Sequence, residues 1–342
     1  MKGKKELLAR TLVGGGAVSL LSQLPVWGRD ELRILAYHRV FDVADELLFP
    51  FDPALISTST AGFRQQMEYV ASNFTPVTCS DVLTALNGGR ELPGRAVVIT
   101  FDDGHLDNYT NAFPVLRNMG IPATIFLSTG YIGTTQMFWF EQVAYALFRA
   151  PACEVAIPRS TIRLVLADTS SRRRAADVLR EHLKNMPDQQ RRVQIDWLVE
   201  SLKTRVRAED RGLSGAMTWD QVREMSRASI EFGSHTVSHP ILTQLDDTAL
   251  ERELVDSRTT IAKMVGTPPI AIAYPDGGTS AFDARVIAAV RHAGYQLGLS
   301  YVSGVNLLNR INRFAIRRMH VEQDTSQAMF RAMLELPRIF SI

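Results

Sequence analysis

The chain has 342 residues, of which 46% are hydrophobic and 22% are charged, and its formal net charge is +2. This length is enough for one large domain or two small ones with a substantial buried core. The nearly balanced charge argues against a chain that binds nucleic acid over its whole surface. With two cysteines, Cys79 and Cys153, a disulfide framework is excluded and only a single bridge stays open.

The N-terminal segment, residues 1–31, combines three early lysines with a mostly apolar stretch. It superficially resembles a signal peptide, but Arg10 interrupts the apolar run and no small-x-small cleavage site precedes Trp27. We therefore favour an amphipathic helix that lies on the domain or makes peripheral contact with a membrane surface. A cytoplasmic or membrane-associated location is favoured, with a secreted or periplasmic one as the alternative.

Residues 32–342 are predicted to form one α/β domain, because strand and helix patterns alternate along them. The predicted strands are 32–37, 96–101, 123–127, 230–232 and 270–274. The predicted helices are 63–72, 80–86 with Ser80 as its N-cap, 111–119, 219–228, 248–265 and 283–293. The uninterrupted apolar run at 96–101 is typical of a fully buried parallel strand. The pattern predicts a parallel sheet, open or closed into a barrel.

Residues 130–217 interrupt this alternation with an arginine-rich, glycine-poor stretch of mostly helix-favouring residues. We interpret the stretch as a helical insertion on the outside of the domain. Its basic runs, 172–174 and 191–192, are expected to form solvated helix faces. Binding of an anionic polymer or a membrane by this insertion is the alternative.

Three polar clusters follow predicted strands: Asp102 with Asp103, His235 with His239, and residues 274–278. In parallel α/β proteins, chemistry collects at the carboxyl ends of the strands. Two adjacent carboxylates after a buried strand need a positive partner, and a metal ion with imidazole ligands provides one. The two histidines are four residues apart, so one helical turn would place both rings on one side. The alternative is that the aspartates cap a helix and the histidines lie on the surface.

These clusters carry a family resemblance. The segments 100–104 (TFDDG) and 234–240 (SHTVSHP) resemble the first two motifs of the polysaccharide deacetylase family, also called NodB-homology or carbohydrate esterase family four. The segment 274–277 (YPDG) is similar to the third motif, and the resemblance covers residues from about 32 to 320. It implies a distorted (β/α) barrel of about seven strands, here with the helical insertion.

The resemblance also implies site residues and an activity. Asp103, His235 and His239 would bind one divalent metal ion, with Zn²⁺ first and Co²⁺, Ni²⁺ or Fe²⁺ as alternatives. Asp102 would be the general base for attack by metal-bound water. The implied reaction removes N-acetyl groups from an N-acetylhexosamine-containing polysaccharide or oligosaccharide, such as an exopolysaccharide. An O-acetyl carbohydrate esterase and a catalytically weak carbohydrate-binding barrel are the alternatives.

The later motifs depart from the family pattern. Many members carry an arginine before the third motif that orients the base, but residues 271–273 here are Ala, Ile and Ala. Asp276 replaces a usual aromatic residue, and the Leu-His pair that supplies the general acid has no clear counterpart. His38, at the end of the first strand, and His320, near the last, are therefore the candidates for the general acid.

Sugar rings usually stack on aromatic faces, and a backbone N–H near Tyr274 is expected to stabilise the developing oxyanion. The residues predicted to contact the substrate are Tyr274, Pro275, Asp276 and Trp139. Trp139 is equally well interpreted as an apolar anchor for the insertion.

Overall fold

Strands and helices alternate along most of the chain in the computed structural model, which describes residues 2–14, 31–207, 210 and 212–341. The strands in these ranges are β1 Glu31–Tyr37, β2 Arg39–Val40, β3 Ile56–Thr58, β4 Thr75–Pro76, β5 Ala96–Phe101, β6 Ala123–Leu127, β7 Glu154–Ala156, β8 Arg163–Val165, β9 Ile230–Ser234, β10 Ala271–Ala273, β11 Leu297–Ser303, β12 Asn306–Leu307 and β13 Ile316–His320. The α-helices in the same ranges are α1 Lys2–Gly14, α2 Thr60–Asn73, α3 Cys79–Leu86, α4 Phe113–Met119, α5 Trp139–Arg149, α6 Thr169–Lys184, α7 Asp188–Ser201, α8 Trp219–Ser226, α9 Asp247–Val265, α10 Ala284–His292, α11 Gln327–Glu335 and α12 Pro337–Phe340.

Seven of the strands close into a barrel in which all neighbours run parallel. Their order around the ring is β1, β13, β11, β10, β9, β6 and β5, and β5 pairs with β1 to complete the ring. At this closure Ile34 lies opposite Val98, and Leu35 lies opposite Ile99. The predicted fold, a distorted (β/α) barrel of about seven strands, is confirmed.

Both faces of the barrel strands are buried, which explains the uninterrupted apolar run of β5. Side chains alternate between the two faces of a strand. Ile34 and Val98 accordingly join an apolar cluster that strands around the ring contribute to the barrel interior. Leu35 and Ile99 join a second cluster, in which the barrel packs against residues of α2 and α4. In a parallel barrel that is covered by helices, each strand is buried on both faces.

The start of α3 lies two residues earlier than predicted. Thr78, rather than Ser80, is the N-cap, because its hydroxyl accepts a hydrogen bond from the Asp81 amide at 3.0 Å. The Asp81 carboxylate accepts one from the Thr78 amide at 2.9 Å and completes a capping box. Cys79, the first residue of this helix, is buried, and both it and Cys153 are free thiols.

The segment between β6 and β9 has an apolar core of its own. It contains α5, the antiparallel hairpin β7–β8, α6 and α7. The core is formed by residues that include Val143, Leu147, Leu166, Leu179 and Leu198. The helical pattern of residues 130–217 did not predict the hairpin, because two strands of three residues are too short to show a period.

The prediction of solvated basic helix faces in this insertion was wrong for three arginines. Arg172 donates hydrogen bonds to the carbonyl oxygens that end α5, including that of Ala150 at 2.6 Å. Arg173 donates to the carbonyl oxygen of Phe51. Arg191 is 2% exposed, and its guanidinium lies 4.9 Å from the ring centroid of Trp139. These arginines attach the insertion to its surroundings.

Helix α1 packs on the domain. Ala9 is fully buried in the core, and Leu12 and Val13 pack against the same cluster. The rest of the predicted apolar segment, residues 15–30, lies outside the described residues. Within the part of the chain that the structure describes, no helix has the length and apolar character needed to cross a membrane. Peripheral membrane contact stays a prediction.

The packing of β1 gives a stability prediction. Leu35→Ala leaves a void between the barrel and its helices, so we expect the free energy of unfolding to fall by about 2–5 kcal/mol. Val193→Ala, at a side chain that is 64% exposed, is the control and should change it by less than about 0.5 kcal/mol. Urea unfolding followed by circular dichroism measures both, and equal losses would contradict the assigned core.

Candidate active site

A cavity of about 470 Å³ lies at the carboxyl ends of the barrel strands. Five predicted residues from three strand ends meet on its wall: Asp102 and Asp103 after β5, His38 after β1, and His235 and His239 after β9. These positions are up to 201 residues apart along the chain, between residues 38 and 239. Closure of the barrel is what brings them together.

Asp102 forms a buried ion pair with Arg318 of β13. The two terminal nitrogens of Arg318 donate to the two carboxylate oxygens at 2.7 Å each. The Asp102 side chain is 2% exposed and that of Arg318 is 0% exposed. Burial raises the pKa of Asp102, but the charges of Arg318 and His235 outweigh this effect and hold the pKa below its usual value. The carboxylate is therefore ionised, as a proton acceptor must be.

Arg318 was missed at the sequence level, although it takes the place of the arginine absent before Tyr274. The segment 316–320 was considered only for its histidine. Ile316 belongs to the apolar cluster inside the barrel, and alternation sends Arg318 to the same face. An arginine at an inward position of the last barrel strand is the signal that could have identified it.

Asp103, His235 and His239 are brought together as predicted. One ligand atom from each lies within 4.8 Å of the others. Oδ1 of Asp103 is 3.3 Å from Nε2 of His239 and 3.6 Å from Nε2 of His235. Among the described residues, Oδ1 of this buried carboxylate has no hydrogen-bond partner. An unpaired buried carboxylate oxygen that faces two imidazoles fits a divalent cation.

The two imidazoles are prepared for coordination in different ways. Nδ1 of His235 lies 2.7 Å from the carbonyl oxygen of Ala273. A carbonyl only accepts, so Nδ1 carries a hydrogen, and Nε2 is the nitrogen that faces Asp103 and could bind a metal. Burial lowers the pKa of His239 to about 3, against the opposing charge of Asp103. A neutral imidazole is the form that binds metals.

The histidines are not on a helix, so the predicted helical turn between them was wrong. Residues 235–239 form a tight loop after β9, in which Thr236 and His239 have positive φ angles of 69° and 56°. Asp103, with φ of 73°, shares this conformation. Such backbone costs on the order of 1–3 kcal/mol per residue and is found where function constrains the chain. The loop turns both rings towards one carboxylate.

Glu253 of α9 holds this loop and was also missed. Its Oε2 accepts hydrogen bonds from the amides of Val237 and Ser238 at 2.7 and 2.9 Å. Its Oε1 accepts one from the hydroxyl of Ser238 at 2.6 Å. The indole N–H of Trp139 donates to the carbonyl oxygen of His239 at 3.2 Å. The strained loop is therefore fixed from both sides.

Of the two candidate acids, the structure brings only His38 to the cavity. Burial lowers the pKa of His38, and the charges of Asp103 and Asp102 oppose this effect. His320 instead stacks on Tyr301 with ring centroids 3.5 Å apart and lines a second cavity near α1 and α11. Tyr301 lines the active-site cavity, so it stands between His320 and the reacting groups.

The third motif supplies less of the cavity than predicted. Tyr274 reaches the cavity, but its ring stacks on Phe282 at 4.6 Å and its hydroxyl donates to the carbonyl oxygen of Phe314. Its N–H donates to the carbonyl oxygen of Leu299 at 3.0 Å, so this amide is not free for an oxyanion. Pro275 is buried and does not line the cavity. Tyr274 is therefore a packed core residue, with no free face for a sugar ring.

Helix α6 of the insertion spans the mouth of the cavity. Arg180 is ion-paired with Asp52, which follows β2, and Lys184 is ion-paired with Asp276, which follows β10. Strand β2 follows directly after the barrel strand β1. Strands β1 and β10 are three steps apart around the seven-stranded ring, which is the largest separation possible. These four side chains and Trp139 line the cavity. The predicted contact residues Asp276 and Trp139 thus line the cavity.

A carboxylate with two imidazoles, beside a second ionised carboxylate at the mouth of a (β/α) barrel, has the parts of a metal-dependent hydrolase. The comparison with known families agrees. The family model described as polysaccharide deacetylase matches residues 89–298, which is more than half of the chain. The chain belongs to the polysaccharide deacetylase family, and the family predicted from the motifs is confirmed.

Relatives give more detail. The poly-β-1,6-N-acetyl-D-glucosamine N-deacetylase of Escherichia coli (strain K12) is 35% identical over 106 residues, 31% of this chain and 15% of that protein. The YxkH protein of Bacillus subtilis (strain 168) is 22% identical over 274 residues, 80% of this chain and 68% of that protein. This chain thus matches only a small part of the E. coli enzyme.

Solved structures share the fold. The Streptococcus pyogenes deacetylase PplD has a TM-score of 0.59 at 19% identity, with 92% of this chain and 100% of that chain covered. IcaB from Ammonifex degensii has a TM-score of 0.55 at 19% identity, with 88% and 97% covered. The barrel is therefore that of known deacetylases.

The Asp102–Arg318 pair predicts a pH effect. Arg318 lowers the pKa of Asp102, so Arg318→Met should raise it and keep the base protonated to higher pH. We expect kcat/KM to fall and its acid limb to move to higher pH, with Arg318→Lys intermediate because it keeps the charge without the paired geometry. The pH dependence of acetate release measures this. An acid limb that stays in place would contradict the assigned ion pair.

Proposed function

We propose that this protein hydrolyses the N-acetyl groups of an N-acetylglucosamine polymer. The observation that carries the proposal is the buried set of Asp103, His235 and His239 beside the Asp102–Arg318 pair in one cavity. The substrate class is supported by relatives from E. coli and Staphylococcus epidermidis, which are named poly-β-1,6-N-acetyl-D-glucosamine N-deacetylases. The cavity volume of about 470 Å³ lies in the range of small-molecule sites, roughly 300–1,000 Å³.

A divalent ion held by the three ligands would activate a water molecule and polarise the acetyl carbonyl. Asp102, the ionised carboxylate beside this set, would accept a proton from the water molecule whose oxygen bonds to the carbonyl carbon. Arg318 holds the carboxylate in place with both oxygens engaged. Because the pair is buried, the base keeps one orientation throughout the reaction.

The second half of the reaction breaks the amide C–N bond. The leaving nitrogen needs a proton, and we assign its delivery to His38, the histidine that shares the cavity with Asp102. The backbone of His38 is fixed, since its amide donates to the Ser57 hydroxyl at 2.9 Å and its carbonyl accepts from Asn108 at 2.8 Å. The products are acetate and the free amine of the sugar.

The base and the metal ligands should respond differently to substitution. Asp102→Asn removes the proton acceptor and leaves the three ligands, so we expect acetate release to fall by about 10²–10⁴-fold with metal content preserved. His235→Ala should lose both metal and activity. Metal analysis by mass spectrometry beside an acetate assay distinguishes them. An Asp102→Asn protein with full activity would remove this residue from the base role.

His38 can be tested through the leaving group. His38→Asn should lower kcat on an N-acetylglucosamine oligomer by about 10²–10⁴-fold. An aryl acetate should be affected much less, because a phenolate leaves without protonation. His292→Asn, at an exposed position on α10, is the control for loss of a histidine. Equal losses on the amide and the aryl ester would overturn the assignment.

The proposed substrate is tested by acetate release from defined glycans. N-acetylglucosamine oligomers are compared with O-acetylated xylan at equal acetyl concentration, with the metal-loaded wild-type protein. Preference for the oligomers supports the proposal, whereas preference for xylan supports an O-acetyl esterase. Glycan binding without acetate release from either would indicate a carbohydrate-binding barrel.

A further inference from the structure

A line of buried polar side chains extends from Asp103 away from the cavity. His105 is fully buried, and its Nε2 lies 3.3 Å from Oδ2 of Asp103. Glu141 of α5 is fully buried and interacts electrostatically with His105, and its Oε1 lies 3.6 Å from a terminal nitrogen of Arg39. The Nε of Arg39 donates to Asp107 at 2.9 Å. Each of these five residues is at most 3% exposed.

The two oxygens of Asp103 thus face different partners. Oδ1 faces His235 and His239, whereas Oδ2 faces His105. An imidazole that donates to Oδ2 would fix the rotation of the carboxylate and leave Oδ1 as the atom directed at the two ligand histidines. Groups that orient a metal ligand in this way typically change metal affinity by 10–100-fold when they are removed.

The insertion supplies the far end of this line. Glu141 belongs to its first helix, and the Ser214 hydroxyl, from the return of the insertion to the barrel, donates to Glu141 Oε2 at 2.6 Å. The carbonyl oxygen of Leu213 accepts from Arg39 at 2.7 Å. The backbone around His105 pairs with the same return segment, through a bridge between His105 and Ala216. The insertion therefore encloses His105 on the side away from Asp103.

The buried carboxylates along this line differ in how their charges are compensated. Asp103, Glu141 and Asp107 are three buried carboxylates, and Arg39 is the buried guanidinium that contacts two of them. Asp103 has no arginine or lysine partner within ion-pair distance among the described residues, and only histidines approach it. A buried carboxylate without a full positive partner is costly, and a divalent cation removes that cost.

We propose that His105 is a positioning residue for the metal centre, and that the insertion supports it through Glu141. This inference rests on the proposed metal-dependent function. It gives the insertion a role at the reacting centre besides that of a wall over the cavity.

The test measures metal affinity rather than turnover. The metal-free protein and its variants compete with a chromophoric chelator for Zn²⁺. His105→Phe, which removes the donor, should weaken Zn²⁺ binding by roughly 10–100-fold, and His105→Gln, which keeps an N–H donor, should recover part of the loss. His292→Phe, at an exposed position, should bind Zn²⁺ like the wild type.

Thermal unfolding of the metal-free proteins separates positioning from folding. Metal-free His105→Gln should melt close to the metal-free wild type, while the increase in Tm on adding Zn²⁺ should be smaller. Glu141→Gln, which keeps the shape of the side chain, tests the insertion and should weaken Zn²⁺ binding several-fold.

Wild-type Zn²⁺ affinity in folded His105→Phe and Glu141→Gln would overturn the inference while the proposed function stands. A wild-type protein that binds no divalent metal would instead overturn the proposed function itself.

Discussion

Two neighbouring carboxylates are buried at the end of one barrel strand, and the rest of the site depends on how each is compensated. Asp102 is paired with a guanidinium on both oxygens. Asp103 faces imidazoles on both oxygens and no guanidinium or ammonium partner among the described side chains. The first arrangement stabilises an ionised base, and the second prepares a cation site. Adjacent residues in the chain thus acquire different chemistry, because adjacent side chains point in different directions at a strand end.

The insertion belongs to the site more closely than its position in the sequence suggests. Its helix α6 contacts loops on opposite sides of the barrel mouth through Arg180 and Lys184. Its helix α5 places Trp139 against the carbonyl of His239, and its buried Glu141 lies beside Arg39 and interacts electrostatically with His105. An element with its own apolar core is in this way attached to the barrel by polar contacts around the reacting groups. Those contacts link the stability of the insertion to the geometry of the site.

The strain at the site fits this arrangement. Asp103, Thr236, His239 and Asp276 all have positive φ angles, which cost free energy for residues other than glycine. The cost is met locally by hydrogen bonds, of which the three accepted by Glu253 are the clearest example. The loop after β9 is therefore fixed in a conformation that neither a helix nor a strand provides.

The sequence by itself determined the barrel class, the strands around the motifs, and the carboxylates and imidazoles that meet in the cavity. These features are local: a buried strand has an uninterrupted apolar run, and the polar residue after it marks the carboxyl end. The motif after β9 was recognised by its residues, although its assumed helical geometry was wrong. The N-cap of α3 was placed two residues late, because Thr78 and Ser80 both favour that position in sequence.

Only the tertiary structure decided which groups complete the site. Arg318 meets Asp102 from 216 residues away, and a contact of that range leaves no periodic signal in either segment. The same is true of Glu253, which holds the loop after β9 from α9, and of Glu141 in the insertion. The choice of His38 over His320 also required coordinates, because Tyr301 stands between His38, which follows β1, and His320 on the paired strand β13. Local patterns fix the elements, whereas closure of the barrel fixes which side chains face one another.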